Sequence, residues 1–147
     1  MGISAKLYDK DFYAWTQETV KALKNKSFDQ VDLEHLIEEI EGMSARDLRE
    51  IRSRLIILIA HLLKWEFQSE NRSSSWTGTI VEQRDQLQTL LEQSPSLKTK
   101  LTLAINDPKI YKKALSIAVA ETEINKNAFP NMLHYTVNQL LDDEFYP

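Results

Sequence analysis

The sequence predicts an all-α fold: a single-domain helical bundle of about six to seven helices around a long, mostly buried third helix. Three glycines and four prolines among 147 residues leave few points at which a helix must break. Apolar residues recur at three- and four-residue spacing along most of the chain, which is the period of an amphipathic helix. A chain of 147 residues fits one domain, so we predict a single domain over residues 1–147.

The first two helices are predicted from their apolar faces. The first runs near Asp9 to Leu23, with an inward face made of Tyr8, Phe12, Trp15, Thr19 and Leu23. The second runs near Asp32 to Glu41, with an inward face made of Leu33, Leu36, Ile37 and Ile40. Gly42 follows directly, and glycine commonly terminates helices, so we expect the second helix to end there.

The third helix is predicted to start at the cap Ser44 and to continue to about Phe67. Its packing seam alternates steps of three and four residues through Leu48, Ile51, Leu55, Leu58, Leu62 and Trp65. Further apolar residues adjoin this seam, and the remaining narrow polar strip holds Glu50, Arg54, His61, Lys64 and Gln68. A helix with so little polar surface is predicted to be the buried centre of the bundle.

Four later helices are predicted from their start signals. Thr79 and Glu82 form a capping-box pattern for a fourth helix that reaches about Gln93. The cap-then-proline pairs Ser94-Pro95 and Asp107-Pro108 begin helices that run to about Ile105 and about Asn125. Thr136 and Gln139 form a second capping-box pattern, for a short helix that ends at Leu140-Leu141.

Composition limits the classes of partner and the compartment. A net charge of −4 and a pI near 5.4 argue against a general nucleic-acid binder, although Lys98, Lys100, Lys109, Lys112 and Lys113 form a local basic region. The longest apolar run, about nine residues, is too short to span a bilayer, so we expect no membrane partner. The absence of cysteine excludes disulfides and fits a reducing, cytoplasmic location.

An acidic and histidine-containing group is the candidate catalytic or metal site. Glu39 and Glu41 lie on the second predicted helix, and His61 and Lys64 lie on the third. Carboxylates with an imidazole suit a hard metal ion or general acid–base catalysis. The alternative is structural: Glu34 and Glu38 of the same helix form a solvated face, and Glu39 or Glu41 pairs with Arg46, Arg54 or Lys64. We favour the structural alternative and predict no cofactor.

Arg84 and Glu121 are charged residues at apolar positions of helical stripes. An arginine stays protonated and requires a carboxylate when buried, so Glu121 is its predicted partner. The pair would fix the register of two helices, or it would line a pocket for an anion. Trp65 and Trp76 are candidate walls of such a pocket, and Trp76 directly follows a serine-rich loop.

Several short motifs, taken together and in order, resemble one known family. They are Leu36-Ile-Glu-Glu-Ile-Glu-Gly-Met43, His61-Leu-Leu-Lys-Trp65, Ser75-Trp76 with Thr79-Ile80 and Arg84, Ser94-Pro-Ser-Leu97, Ala120-Glu-Thr122, Phe129-Pro130 and Leu140-Leu-Asp-Asp-Glu-Phe-Tyr-Pro147. The chain resembles the helical proteins, abundant in cyanobacteria, catalogued as domain of unknown function number twenty-nine. The resemblance implies an all-helical fold and no particular activity. The family's cysteine-proline pair is replaced here by Met132-Leu133.

The sequence therefore favours a cytoplasmic helical protein that binds another protein or itself. The third and last helices are the candidate contact surfaces, and the segment from Leu140 to Pro147 would dock on its own core or on a partner. The alternative is a metal-dependent hydrolase of the phosphoesterase or nuclease type, using Glu39, Glu41 and His61. An anion-binding pocket at Arg84 is the third possibility.

Overall fold

The computed structural model describes residues 2–147, with Ala5 described by its backbone alone. Over that range the chain forms seven α-helices and no β-strand, which confirms the predicted all-α class. Contacts between Cα atoms divide the chain into two compact units, Met1–Arg46 and Asp47–Pro147. That residues 1–147 behave as one domain stays a prediction. None of the described helices has the length and apolarity needed to cross a membrane.

The N-terminal unit begins with two short helices where the sequence predicted one. Helix α1 is Ala5–Lys10 and helix α2 is Phe12–Lys24. They are separate because Asp11 leaves the helical conformation, with φ of −151° and ψ of 87°. Its carboxylate accepts a hydrogen bond from the Ala14 amide at 3.0 Å, so Asp11 acts as the N-cap of α2.

Aromatic stacking holds the first unit together. The Tyr8 ring stacks on His35 at a centroid distance of 3.9 Å and meets Trp15 edge-on at 5.0 Å. Trp15 and Thr19 are buried, in agreement with the predicted inward face of the first helix. Phe12 and Leu23 were expected on the same face, but they are 48% and 39% exposed, so that part of the prediction is wrong.

The second and third predicted helices form one helix, α3, which is Leu33–Phe67. The predicted end at Gly42 and the predicted cap at Ser44 are therefore wrong. Gly42 does not adopt the positive φ of a helix-terminating glycine. An interior glycine costs a helix only about 1 kcal/mol, and the neighbouring glutamates, Met43 and Ala45 are good helix formers.

The second unit, Asp47–Pro147, surrounds the C-terminal half of α3. Seven apolar residues of this half are at most 1% exposed, which confirms the buried central helix: Ile51, Leu55, Leu58, Ile59, Ala60, Leu62 and Leu63. The other helices of this unit are α4 (Ser74–Gln93), α5 (Leu97–Ile105), α6 (Pro108–Thr122) and α7 (Val137–Leu141). Each contributes buried residues to one apolar core, among them Ile80, Leu87, Leu101, Ile110, Ala114 and Leu140.

The ends of these helices test the predicted start signals. Helix α4 is capped by Ser73, whose hydroxyl accepts from the Trp76 amide at 3.3 Å, so the predicted start at Thr79 is wrong. Helix α5 starts two residues after Ser94-Pro95 but ends at Ile105 as predicted. Helix α6 starts at Pro108 after the cap Asp107, as predicted, and ends earlier than expected.

The end of α6 and the start of α7 have clear local causes. Helix α6 ends at Thr122 because Glu123 adopts the left-handed conformation, with φ of 60°. The Thr136–Gln139 capping box is present, and both of its hydrogen bonds form at the start of α7. The short α7 is thus set by the signal that the sequence carries.

Candidate interaction surface and buried polar sites

Lys64 is a buried cation in the second unit. It is 4% exposed on α3, and its ammonium group donates a hydrogen bond to the carboxylate of Glu121 on α6. The same nitrogen lies 4.9 Å from the centroid of the Trp76 ring, within range of a cation–π contact. A buried ammonium needs such partners because its desolvation is costly. Half of the Glu121 side chain remains exposed, so the ion pair lies at the edge of the core.

His61 lies one turn before Lys64 on α3. In its neutral form, its Nδ1 donates to the carbonyl oxygen of Ile57 at 2.9 Å. Burial lowers the pKa of the imidazole below its ordinary value. His61 is therefore neutral at pH 7, with one ring nitrogen engaged by the helix backbone.

Arg84 binds main-chain oxygens of the C-terminal segment. It is 1% exposed on α4, and its Nε donates to the carbonyl of Leu140 at 2.9 Å. Its Nη2 donates to the carbonyls of Gln139 at 3.2 Å and Phe145 at 2.7 Å. The guanidinium carbon also lies 5.4 Å from the centroid of the Tyr146 ring. Arg84 thus fastens the end of the chain to the core of its own unit.

The predicted ion pair between Arg84 and Glu121 does not form among the described residues. Glu121 pairs with Lys64, and Arg84 donates to carbonyl oxygens through Nε and Nη2 instead of pairing with a carboxylate. Its buried Nη1 has no hydrogen-bond partner among the described residues. The predicted pairing failed because a main-chain carbonyl is present at every residue and leaves no sequence signature. Burial lowers the pKa of the guanidinium, which still stays protonated. That Arg84 also holds an anion stays a prediction.

The candidate metal ligands do not form a cluster. Glu39 accepts a hydrogen bond from the Tyr8 hydroxyl, which raises the pKa of Tyr8 to about 12. Glu41 is exposed, and both glutamates belong to Met1–Arg46, whereas His61 belongs to Asp47–Pro147. Across residues 2–147, no group of three or more histidine, aspartate and glutamate side chains could hold a metal ion. That the protein is a metal-dependent hydrolase stays a prediction.

The two candidate wall tryptophans pack against polar neighbours. The Trp65 ring lies 5.0 Å from Tyr146 and 4.9 Å from the guanidinium carbon of Arg72, measured from the ring centroids. Trp76 covers the ammonium group of Lys64. Trp76 thus shields a buried cation, whereas Trp65 lies against the exposed Arg72. A role for either ring in a ligand pocket stays a prediction.

One polar network has no counterpart in the sequence analysis. The Glu66 carboxylate accepts from the Tyr135 hydroxyl at 2.7 Å and from His134 Nε2 at 2.8 Å. Burial and this hydrogen bond raise the pKa of Tyr135. No regular spacing links residues so far apart in the chain, so the pattern of the sequence could not reveal the network.

An exposed apolar surface lies on the N-terminal half of α3. Leu33, Ile37, Ile40 and Met43 are 62%, 47%, 53% and 54% exposed, and we call these four residues the α3 stripe. Their spacing places them along one side of the helix. The predicted inward face of the second helix is therefore wrong for Leu33, Ile37 and Ile40. Apolar periodicity identifies a face but not what covers it.

The stretch of chain that carries the α3 stripe is rich in acids. No lysine or arginine occurs from Ser27 to Ala45, and this stretch contains six acids: Asp29, Asp32, Glu34, Glu38, Glu39 and Glu41. Asp32 bonds to His35 Nδ1 at 2.5 Å, and Glu39 bonds to Tyr8. The other three glutamates of this stretch, Glu34, Glu38 and Glu41, are exposed and recur at steps of four and three residues, so they form a row beside the stripe.

A basic groove lies in the second unit, between α3 and α6. It has a volume of about 520 Å³, and we call it the lysine groove; its lining residues are Ile56, Lys109, Lys112, Lys113, Ser116 and Ile117. The two isoleucines are half-buried and the three lysines are exposed. The groove thus joins an apolar floor to a cationic border.

Comparison with known proteins identifies the family. The family model described as Domain of unknown function DUF29 matches residues 7–146, nearly the whole chain. No curated protein and no solved structure matches the chain with significant similarity. The match agrees with the resemblance that the ordered motifs indicate, from the second predicted helix to the C-terminal Phe-Tyr-Pro. The chain therefore belongs to the Domain of unknown function DUF29 family.

Proposed function

We propose that this protein functions as a protein-interaction module and that the α3 stripe is its contact surface. The observation that carries the proposal is the distribution of exposed apolar side chains. Of the twelve large apolar residues exposed in the described chain, nine lie in Met1–Arg46: Phe12, Tyr13, Val20, Leu23, Phe28, Leu33, Ile37, Ile40 and Met43. Fewer than a third of the residues thus include three quarters of these exposed apolar side chains.

The physical argument rests on clustering. Single exposed apolar residues are ordinary, whereas contiguous apolar patches with a polar border mark surfaces that bind other proteins. The α3 stripe is continuous over about three helical turns and has charged glutamates at its edge. A second helix laid along it would bury the four apolar side chains and leave the glutamates at the rim.

The C-terminal segment does not supply this surface. Leu140 is fully buried, and Phe145 and Tyr146 pack against the core of their own unit while Arg84 holds the backbone. The absence of cysteine from the sequence fits a reducing compartment, and we propose that the protein acts in the cytoplasm.

The proposal is tested by purifying the tagged protein from its native cells after light cross-linking. The stripe variant carries Ile37→Ser and Ile40→Ser. The matched control is Val81→Ser on α4, because Val81 is 55% exposed but lies outside the stripe. Both variants remove exposed apolar surface and leave the buried core intact, so far-UV circular dichroism should show unchanged helicity.

We expect specific co-eluting proteins with the natural chain and with the control, and at least about a tenfold loss with the stripe variant. Two central apolar contacts of an interface are together worth more than the roughly 1.4 kcal/mol that this factor represents. Equal recovery with the stripe variant and the natural chain would overturn the proposal.

A further inference from the structure

We propose that the α3 stripe of one molecule docks in the lysine groove of a second copy of this chain. This inference rests on the proposed function, because it takes the stripe as the contact surface and names what covers it. Two different surfaces would meet, one from each copy. The protein would then assemble head to tail.

The first argument is charge complementarity. A row of glutamates, Glu34, Glu38 and Glu41, lies beside the stripe, and no lysine or arginine occurs from Ser27 to Ala45. The lysine groove has three ammonium groups and no acid among its lining residues. Opposite potentials on two meeting surfaces favour encounter and fix the register of the complex. The stripe therefore has acidic residues beside it, and the groove has basic ones.

The second argument is the match of apolar parts and spacing. An amphipathic helix typically places its apolar face in a groove with an apolar floor, and here Ile56 and Ile117 form that floor. Glu34 and Glu38 are four residues apart on α3, as are Lys109 and Lys113 on α6. At a rise of 1.5 Å per residue, both pairs span about 6 Å along their helices. Two ion pairs can therefore form in one register.

The third argument is that the stripe is poorly suited to pairing with itself. A symmetric contact between two copies of the stripe would bring two glutamate rows together without a lysine or arginine from the same stretch. Like charges across an interface oppose association. The lysine groove removes this repulsion. Because stripe and groove are different patches, each added copy leaves one stripe and one groove free, so assembly ends only if a ring closes.

The experiment is sedimentation velocity of the purified protein over a range of concentrations. The groove variant is Lys109→Glu with Lys112→Glu and Lys113→Glu, and the stripe variant is Ile37→Ser with Ile40→Ser. The charge-matched control is Lys98→Glu with Lys100→Glu and Lys126→Glu, which changes three exposed lysines outside the groove. Circular dichroism before each run verifies that every variant keeps its helicity.

We expect the natural chain to sediment as species larger than 17.1 kDa, with an average mass that rises with concentration. The groove and stripe variants should remain monomeric, with self-association weakened about tenfold or more, while the control associates like the natural chain. Mixing the two variants should give a 1:1 complex that grows no further. In that mixture the intact stripe of one meets the intact groove of the other, and the remaining faces are both acidic.

Two results would overturn the inference. One is a natural chain that stays monomeric at all concentrations; the other is a groove variant that associates as the natural chain does. Either result leaves the proposed function standing if the stripe variant still loses its co-eluting proteins. If the stripe variant changes neither self-association nor co-elution, both proposals fail.

Discussion

The guanidinium of Arg84 donates through Nε to the carbonyl oxygen of Leu140 at 2.9 Å, across 56 residues of sequence. Two further carbonyls, those of Gln139 and Phe145, accept from Nη2 of the same side chain. A charged side chain is thus buried without a carboxylate partner. The carbonyl oxygens of the C-terminal segment, which carry partial negative charge, take the place of the carboxylate. These contacts attach the segment to the core.

Substitution of Arg84→Met should destabilise the protein by about 3 kcal/mol or more, because three carbonyl groups lose their donor in a buried site. Urea unfolding followed by circular dichroism measures the loss. Arg72→Met is the matched control, since Arg72 also donates to main-chain carbonyls, those of Trp65 and Pro147, but is exposed. The control should cost less than about 1 kcal/mol. Equal losses for the two variants would contradict the importance of burial.

Removing Glu121 from its ion pair with Lys64 should lower the stability of the protein, and replacing Lys64 as well should restore it. Glu121→Ala leaves a buried ammonium group with only the Trp76 ring and should cost about 2 kcal/mol, less than a fully buried pair because Glu121 is half-exposed. Lys64→Met in that background should recover most of the loss, since methionine suits an apolar site. Thermal unfolding of the single and double variants measures both effects. A double variant less stable than Glu121→Ala would refute this account.

Replacement of Gly42 by alanine should stabilise the protein. Gly42 lies inside α3, and a Cβ atom built on it meets nothing within 4 Å. Alanine is favoured over glycine in a helix interior by about 1 kcal/mol. Gly78→Ala on α4 is the control, because that position also has open space and should gain a similar amount. Amide hydrogen exchange around residues 38–46 should slow in Gly42→Ala; a faster exchange would indicate a break in the helix at this glycine.

His35 and His61 should titrate on opposite sides of the ordinary histidine pKa, near 6.5. The Asp32 carboxylate raises the pKa of His35, so this contact stabilises the fold fully below about pH 6.5 and the contribution is lost as pH rises through the raised pKa. Burial lowers the pKa of His61. The stability of the fold with a neutral His61 is therefore fully present above about pH 6.5 and is lost as pH falls through the lowered pKa. NMR titration with each histidine assigned by substitution tests the order, and a reversed order would contradict it.

The sequence was sufficient where the structure follows local chemistry. The Thr136–Gln139 capping box and the Asp107-Pro108 start carry their own hydrogen-bond donors and acceptors, so both helix starts could be predicted. The core seam of α3 beyond Ile51 also follows from apolar spacing, because several helices cover it. The helix starts depend on neighbours within a few residues, and the seam depends on apolar side chains that are stable only when they are buried.

The features that could not be predicted depend on residues that are distant in the sequence and pack against the side chain in question. Apolar spacing at Leu33 and Ile37 is that of a buried helix, yet both residues are exposed, since spacing cannot show whether a covering element exists. A buried Arg84 requires hydrogen-bond acceptors, but main-chain carbonyl oxygens cannot be identified from side-chain patterns. The candidate metal ligands show the same dependence: their residue types are suitable, but Glu39 accepts a hydrogen bond from Tyr8, which no spacing in the sequence indicates.

The glutamate row beside the α3 stripe also has a consequence for handling the isolated protein. Four exposed apolar side chains in a row would promote aggregation, and repulsion between the flanking glutamates opposes it. The net negative charge of the whole chain adds to this protection, and that net charge disappears near the pI of about 5.4. Solubility of the recombinant protein should therefore fall as the buffer approaches that pH, and storage above neutrality should preserve it.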